Sequence, residues 1–212
     1  MNRDFPQVLA ARLAAASLPG RAVQRQLEPG LCYGRHFGPP THRAREAAVI
    51  ALFYPHADEW HLPLTVRPAT LPAHAGQISL PGGAIEPGET TAQAALRELE
   101  EELGVRADEV SLLGALSPIY VFVSEYLVRP WVAVVPQRPP FRPSAEEVSE
   151  LLEVPLSHLI DPSHRGRHTR RQRGIELSVP HFVWGRHRIW GATGMILSEL
   201  VEVVGNLGEK LR

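Results

Sequence analysis

The chain has 212 residues, 44% of them hydrophobic and 21% charged, which suits one domain with a core of its own, two at most, and excludes wholesale disorder. Its single cysteine, Cys32, excludes an internal disulfide and any zinc knot built on several thiols, and a net charge of -1 argues against a nucleic-acid binder driven by overall charge. No run approaches the roughly 18 to 20 apolar residues of a membrane span and the N-terminus lacks a signal-peptide layout, so the expectation is a soluble, cytoplasmic protein.

Residues 5–17 (FPQVLAARLAAAS) space Phe5, Val8, Leu9 and Leu13 as a helix does, and Pro19 with Gly20 ends it. Residues 19–44, rich in Pro, Gly and Arg, read as a linker or surface loop, which sets an N-terminal helix and linker over 1–44 beside a domain over 45–212 in a chain that is single-domain overall. From Glu46, AAVIALFY reads as a buried strand, and residues 61–67 as a second strand reached through the turn at 55–59. The segment LPAHAGQISLPGGAIEPGE holds so much Pro and Gly that it reads as a long ordered loop, a type that usually carries function. A helix follows over 90–103, opened by Thr90 and Gln93 at capping-box spacing and stopped by Gly104. Strands are predicted at 110–116, 118–123 and 126–135, then a helix, a break at Pro155 and a short second helix over 145–160. A hairpin over 175–190 and an amphipathic helix over 192–206 complete the chain, and this alternation without a repeat predicts a layered α/β domain.

On a helix turning about 100° per residue, Ala92, Leu96, Leu99 and Leu103 share one stripe while Glu98, Glu101 and Glu102 converge on another. A run of Glu on a helix is ordinarily a solvated charged face. Here the carboxylates stand at i, i+3 and i+4, where they repel one another, and in the last turns, where the helix dipole favours cations; only Arg97 compensates locally. A hard divalent cation shared by the converging oxygens removes both conflicts. The turns at Pro81-Gly82-Gly83 and Pro87-Gly88 let backbone approach such an ion closely, and the Gly83 carbonyl is a candidate further donor. As general base Glu98 ranks first, because a rigid helix holds it; Glu147 and Glu150, on the helix predicted after Pro143, are the alternatives.

Gly83, Glu89, Arg97, Glu98, Leu99, Glu101, Glu102, Gly104 and Val105 match the Nudix box at every fixed position, so the segment resembles that family. The resemblance implies a Nudix-type α/β/α sandwich with a mixed β-sheet and hydrolysis of a nucleoside diphosphate linked to another moiety. It implies that Glu98, Glu101, Glu102 and the Gly83 carbonyl hold Mg²⁺ or Mn²⁺ in the catalytic site, that Glu89 and Arg97 brace loop and helix, and it favours a homodimer. Upstream, Leu64 to Arg67, Gly76 and Leu80 to Gly83 resemble in spacing the extra motif of coenzyme A pyrophosphatases, a likeness shared by SPIYVFVSEYLVRPWVAVV, AEEVSELLEVPLSHLIDP and HRIWGATGMILSEL downstream. That motif has Leu, a small residue, Arg and Phe where this chain has Pro63, Pro68, Pro72 and Leu80. The likeness implies substrate contacts at Arg67, His74, Gly76 and Gly82, and cleavage of coenzyme A or an acyl derivative to adenosine 3′,5′-bisphosphate and a 4′-phosphopantetheine product. With no Arg at position 72, ADP-ribose, a dinucleotide or another nucleotide is the alternative substrate. An inactive nucleotide- or nucleic-acid-binding module is the alternative from another class, against which the intact carboxylates weigh.

Residues 164–173 (HRGRHTRRQR) hold five Arg and two His and no acid. They read either as a contact for the 3′-phosphate of a coenzyme A nucleotide or as a solvated loop in a chain whose basic residues are all Arg except Lys210. Trp184 and Trp190 are candidates for stacking on adenine, although core packing is the plainer reading. His36, His42, His56 and His61 show no metal-ligand spacing and receive no role.

Overall fold

The computed structural model describes residues 4–30, 32–70, 76–172 and 174–205. Strand β1 (Arg45–His56) is the spine of the sheet, and its side chains alternate between two apolar clusters. Ala47, Ala51 and Phe53 enter one; Ala48, Ile50, Leu52 and Tyr54 enter the other, the pattern of a strand covered on both faces. One edge of β1 pairs in parallel with β7 (Tyr126–Val134). The other edge is shared: β4 (Gly82–Ala84) pairs antiparallel near its start and β2 (Glu59–Val66) at its end, across a turn in which Ala57 and Asp58 take positive φ. With β3 (Ile78–Ser79) and β8 (Glu150–Pro155) on β2, and β5 (Ser111–Ala115) and β6 (Ile119–Val121) on β7, the described residues form one mixed eight-stranded sheet.

Helix α3 (Thr91–Leu103) covers one face through Ala94, Ala95, Leu99 and Leu103. On the opposite face lie α1 (Phe5–Leu13), α4 (Leu156–Ile160) and α5 (Gly191–Gly205), so the expected α/β/α sandwich with a mixed sheet is the fold observed. Strands β9 (Arg165–Gln172), β10 (Ile175–Trp184) and β11 (His187–Ile189) form a second, antiparallel sheet. Among the described residues no helix is long and apolar enough to cross a membrane.

Several elements differ from their sequence reading, each for a tertiary reason. The first helix stops at Leu13, and its Phe5 stacks on Trp60 and meets Phe53 edge-on. The stretch 19–44, read as a surface linker, folds into α2 (Arg21–Gln24) and two short 3-10 turns that place Leu27 and Phe37 in the core. It is tied down by Glu199 of α5, fully buried, which accepts hydrogen bonds from the Gly20 amide at 3.0 Å, Gln24 Nε2 at 2.8 Å and the Ser117 amide at 3.2 Å. Residues 150–155, read as helix, are strand β8, because pairing with β2 satisfies their backbone and buries Leu152 and Val154, which outweighs helical propensity. The Arg-rich segment is strand β9 rather than a loop, and α5 is buried nearly all round rather than amphipathic. Within the supposed loop of 71–89, short strands β3 and β4 add to the sheet.

Candidate active site

The carboxylates are presented by α3, whose start is fixed as the sequence requires: Thr90 and Gln93 form a reciprocal capping box, and Gly104 ends the helix with φ 70°. The apolar stripe is rotated from the one predicted. Ala94, Ala95, Leu99, Glu102 and Leu103 are buried, while Ala92 and Leu96 are only half-buried. With Glu98 at zero and about 100° per residue, the buried set spans an arc from about −40° to +140°. Glu102, at about +40°, falls well inside that arc, Glu98, at zero, about 40° from its edge, and Glu101, at about −60°, roughly 20° beyond it, toward solvent.

The structure therefore brings together Glu98, Glu102 and Glu147, which offer carboxylate oxygens all within 4.8 Å of one another, and leaves Glu101 at the rim. Glu101 shares Nη1 of Arg97 with Glu98, at 2.8 and 2.9 Å respectively, and its side chain is 54% exposed. Glu147 arrives through backbone stitching. The Arg142 and Ser144 amides donate to the Leu103 and Glu102 carbonyls, groups that a helix end leaves without intrahelical partners, and the Ser149 amide donates to Val66 of β2. Sequence reading assigned Glu147 only as an alternative base; its place among the carboxylates depends on this loop path.

Glu102 is 2% exposed, and among the described residues its Oε2 is buried without a hydrogen-bond partner, while Oε1 accepts from the Gly82 amide at 3.3 Å. Burial pushes its pKa up to about 7, with the Gly82 amide pulling the other way. Burial likewise raises the pKa of Glu98, against the lowering effect of Arg97. A Cβ at Gly83 would fall 2.2 Å from Glu98 Oε1, so a larger residue there would displace this carboxylate from its place under the box loop. At Gly82, with φ 152°, a Cβ would lie 2.3 Å from the Ala48 carbonyl oxygen of β1. A convergent all-oxygen set with an orphaned buried oxygen fits a hard divalent cation.

Arg97 fastens the loop to the helix. Its Nε donates to Glu89 Oε1 at 2.8 Å, and Nη2 donates to Glu89 Oε2 at 3.2 Å and the Ala84 carbonyl at 3.1 Å. Glu89 Oε2 also accepts the Glu86 amide at 2.9 Å. The hydrogen bonds from Arg97 hold Glu89 below the usual carboxylate range, and those to Glu89 first of all raise the pKa of Arg97.

Other expected residues lie elsewhere. Glu150 on β8 is ion-paired to Arg186 at 2.8 Å and lies 3.3 Å from His187, and the bond from Arg186 leads in lowering its pKa; the carboxylate cluster does not include it. Arg67 is hydrogen-bonded to Gln77 and Gly76, the Arg67 amide donating to Gln77 and the Gly76 amide to Arg67, and among the described residues Arg67 Nε is buried without a partner. Pro72 and His74 lie outside the described residues. In β9, Arg165 packs on Phe182, Arg170 on Trp190, and Arg167 donates to Ser178; among the described residues Arg165 Nε is buried without a hydrogen-bond partner. Trp184 and Trp190 are half-buried; Trp184 and His158 line an open depression of about 620 Å³ together with Glu150, Leu152, Arg186 and His187.

The NUDIX domain family matches residues 44–174 of this chain. NudL of Cronobacter sakazakii, an uncharacterized Nudix hydrolase, is 35% identical over 171 residues, 76% of this chain and 83% of its own. The human mitochondrial coenzyme A diphosphatase NUDT8 is 36% identical over 126 residues, 58% of this chain and 53% of its own, so the match spans about half of that relative. Among solved structures, a Nudix hydrolase from M. smegmatis, RenU, is similar in fold with a TM-score of 0.54 at 18% identity, over 77% of this chain and 87% of that one.

Proposed function

This chain belongs to the Nudix hydrolase family and is a diphosphatase, and on that premise we propose that it cleaves coenzyme A or an acyl-coenzyme A with Mg²⁺ or Mn²⁺ held by Glu98, Glu102 and Glu147. The observation that carries the metal site is the buried, unpartnered Oε2 of Glu102 inside a ring of carboxylates. Glu101 and the Gly83 carbonyl complete the reading as donors at the rim. A divalent ion in such a site neutralises diphosphate charge and acidifies the attacking water.

The remaining roles belong to the chain. Glu147 is exposed, and among the described residues its carboxylate makes no hydrogen bond or ion pair, whereas Glu98 spends one oxygen on Arg97. With one oxygen toward the ion, Glu147 keeps a second to take the proton of the water, which Glu98, with its other oxygen on Arg97, does not, so Glu147 replaces Glu98 as first candidate. The water oxygen bonds to one phosphorus as the bridging P–O bond breaks, and that electron pair leaves with the other phosphate. Arg97 and Glu89 keep the box loop in register with the helix. Arg67, His74, Gly76 and Gly82 are proposed substrate contacts, for which the unpartnered Nε of Arg67 is the support within the described residues. A cytoplasmic homodimer is the proposed state, to be checked by light scattering on the purified chain and by fractionation.

Coenzyme A is favoured by the upstream motif spacing and by the activity that NUDT8 is named for. Pro72 favours a second reading, ADP-ribose or a dinucleotide, since loss of an Arg–phosphate bond removes about 1.5 to 3 kcal/mol, or roughly ten- to a hundredfold in efficiency. Incubation with a panel of diphosphates and Mg²⁺ or Mn²⁺, with products weighed by mass spectrometry, tests both. Coenzyme A should yield adenosine 3′,5′-bisphosphate and 4′-phosphopantetheine at a modest rate that Pro72→Arg improves. Far faster turnover of ADP-ribose or a dinucleotide, with no effect of Pro72→Arg, replaces the first reading by the second.

A further inference from the structure

A second group of metal-ligating side chains lies in the N-terminal segment. Glu28, Cys32 and His36 each offer a ligand atom within 4.8 Å of the others. We propose that these three residues form a metal site of their own, for a borderline divalent transition cation of the zinc type, chemically distinct from the all-oxygen cluster of Glu98, Glu102 and Glu147.

The donor chemistry separates the two sites. Thiolate, imidazole and carboxylate together suit zinc, whereas carboxylates alone suit magnesium or manganese. Glu28 and a thiolate at Cys32 bring two negative charges, which balance a divalent ion, and three protein donors leave a fourth position for water.

His36 is prepared for ligation. It is 6% exposed, and its Nδ1 lies 2.9 Å from the carbonyl oxygen of Tyr120 on β6. A carbonyl only accepts, so Nδ1 carries the proton and the neutral ring keeps its lone pair on Nε2, the arrangement by which a backbone carbonyl orients a metal-bound histidine. The ring is also held by Phe122, 4.7 Å away between centroids. Glu28 supplies the complementary signal: its Oε1 is buried and, among the described residues, has no hydrogen-bond partner. A buried acceptor of that kind costs about 1 to 3 kcal/mol unless something satisfies it, and a cation between Cys32 and His36 does so.

The turns that bring the three together are fixed independently. The Gly30 amide donates to Ser178 of β10 at 2.9 Å, the Cys32 amide to Pro29, the Arg35 amide to Cys32, and the Phe37 amide to Gly34. Arg35, the cation beside the site, rests on the face of Phe122 at 4.1 Å and donates from Nε to the Cys32 carbonyl. An ion here would staple the 28–36 turns to strand β6.

Because Cys32 is the only cysteine, a thiolate-to-cobalt charge-transfer band in the intact protein reports this site alone. Titration of the full chain with Co²⁺ should produce that band, Zn²⁺ should abolish it, and Glu102→Gln should leave it unchanged. Cys32→Ser should eliminate it, and Glu28→Gln and His36→Gln should each weaken Co²⁺ affinity by about tenfold or more. Glu28→Gln at the segment's edge preserves the test if His36→Gln fails to fold, which circular dichroism monitors. No band at saturating Co²⁺, or undiminished affinity in Glu28→Gln, overturns the proposal.

Discussion

Replacing Glu102 by Gln keeps the size of the side chain and removes a charge that the fold buries to 2% exposure. In the unfolded chain this carboxyl ionises near its ordinary value of 4.5; in the native state burial delays ionisation to about 7. The native protein therefore holds a proton that the unfolded chain has released, and stability contributed by the neutral form is lost as pH rises across that window. A tenfold difference in proton affinity between the two states is worth about 1.36 kcal/mol, so the native state without metal should lose on the order of 3 kcal/mol relative to Glu102→Gln between pH 4.5 and pH 8. Urea unfolding in chelator at pH 5, 6, 7 and 8 reads this directly: the variant should be the more stable protein above pH 7 and converge with the parent toward pH 5. Mg²⁺ at about a hundred times its dissociation constant should return roughly 2.7 kcal/mol to the parent and little to the variant. Hydrolysis should fall by about two orders of magnitude or more in Glu102→Gln. Parallel stability curves for the two proteins from pH 5 to pH 8 would refute the claim that Glu102 is a strained, metal-seeking carboxylate.

Glu147→Gln should lower kcat by roughly 10² to 10⁴ and flatten the acid limb of the pH-rate profile at saturating metal, whereas Glu150→Gln, whose partners are Arg186 and His187, should keep both; the reverse order would remove Glu147 from its role. Arg97→Lys exchanges a fork for a point charge and cannot hold both oxygens of Glu89 along with Glu98 and Glu101, so kcat/KM should drop about tenfold or more and hydrogen exchange over 84–89 should speed up. Unchanged exchange would show that the loop does not depend on this brace. Gly82→Ala drives a methyl against the backbone of Ala48 and Val49, with contacts of 2.3 and 2.6 Å, and thermal unfolding should reveal a loss of about 3 kcal/mol or more.

Local rules were enough to place much of this molecule. Thr90, Gln93 and Gly104 bound α3 because caps act through neighbouring backbone, and the strands beginning near 110, 118 and 126 follow from short alternating runs between turn residues. The box residues identify the family and the carboxylate helix from spacing alone, since their chemistry is written into one continuous segment. Tertiary structure decided the rest. Residues 150–155 have helical composition yet pair with an edge of β2 that lies far away in sequence, and Phe5, Leu27 and Phe37 are core residues because a distant sheet face needed covering. The same holds at the site. Glu98, Glu101 and Glu102 look equivalent on a helical wheel until the position of β1 establishes which face is inside, and Glu147 joins them only because the Ser144 and Ser149 amides cap α3 and β2 across the fold. His36 shows no ligand spacing to the other histidines for a related reason: turns that bring it to Cys32 and Glu28, and the Tyr120 carbonyl from another strand, create its geometry, and contacts of that kind leave no periodicity in the chain itself.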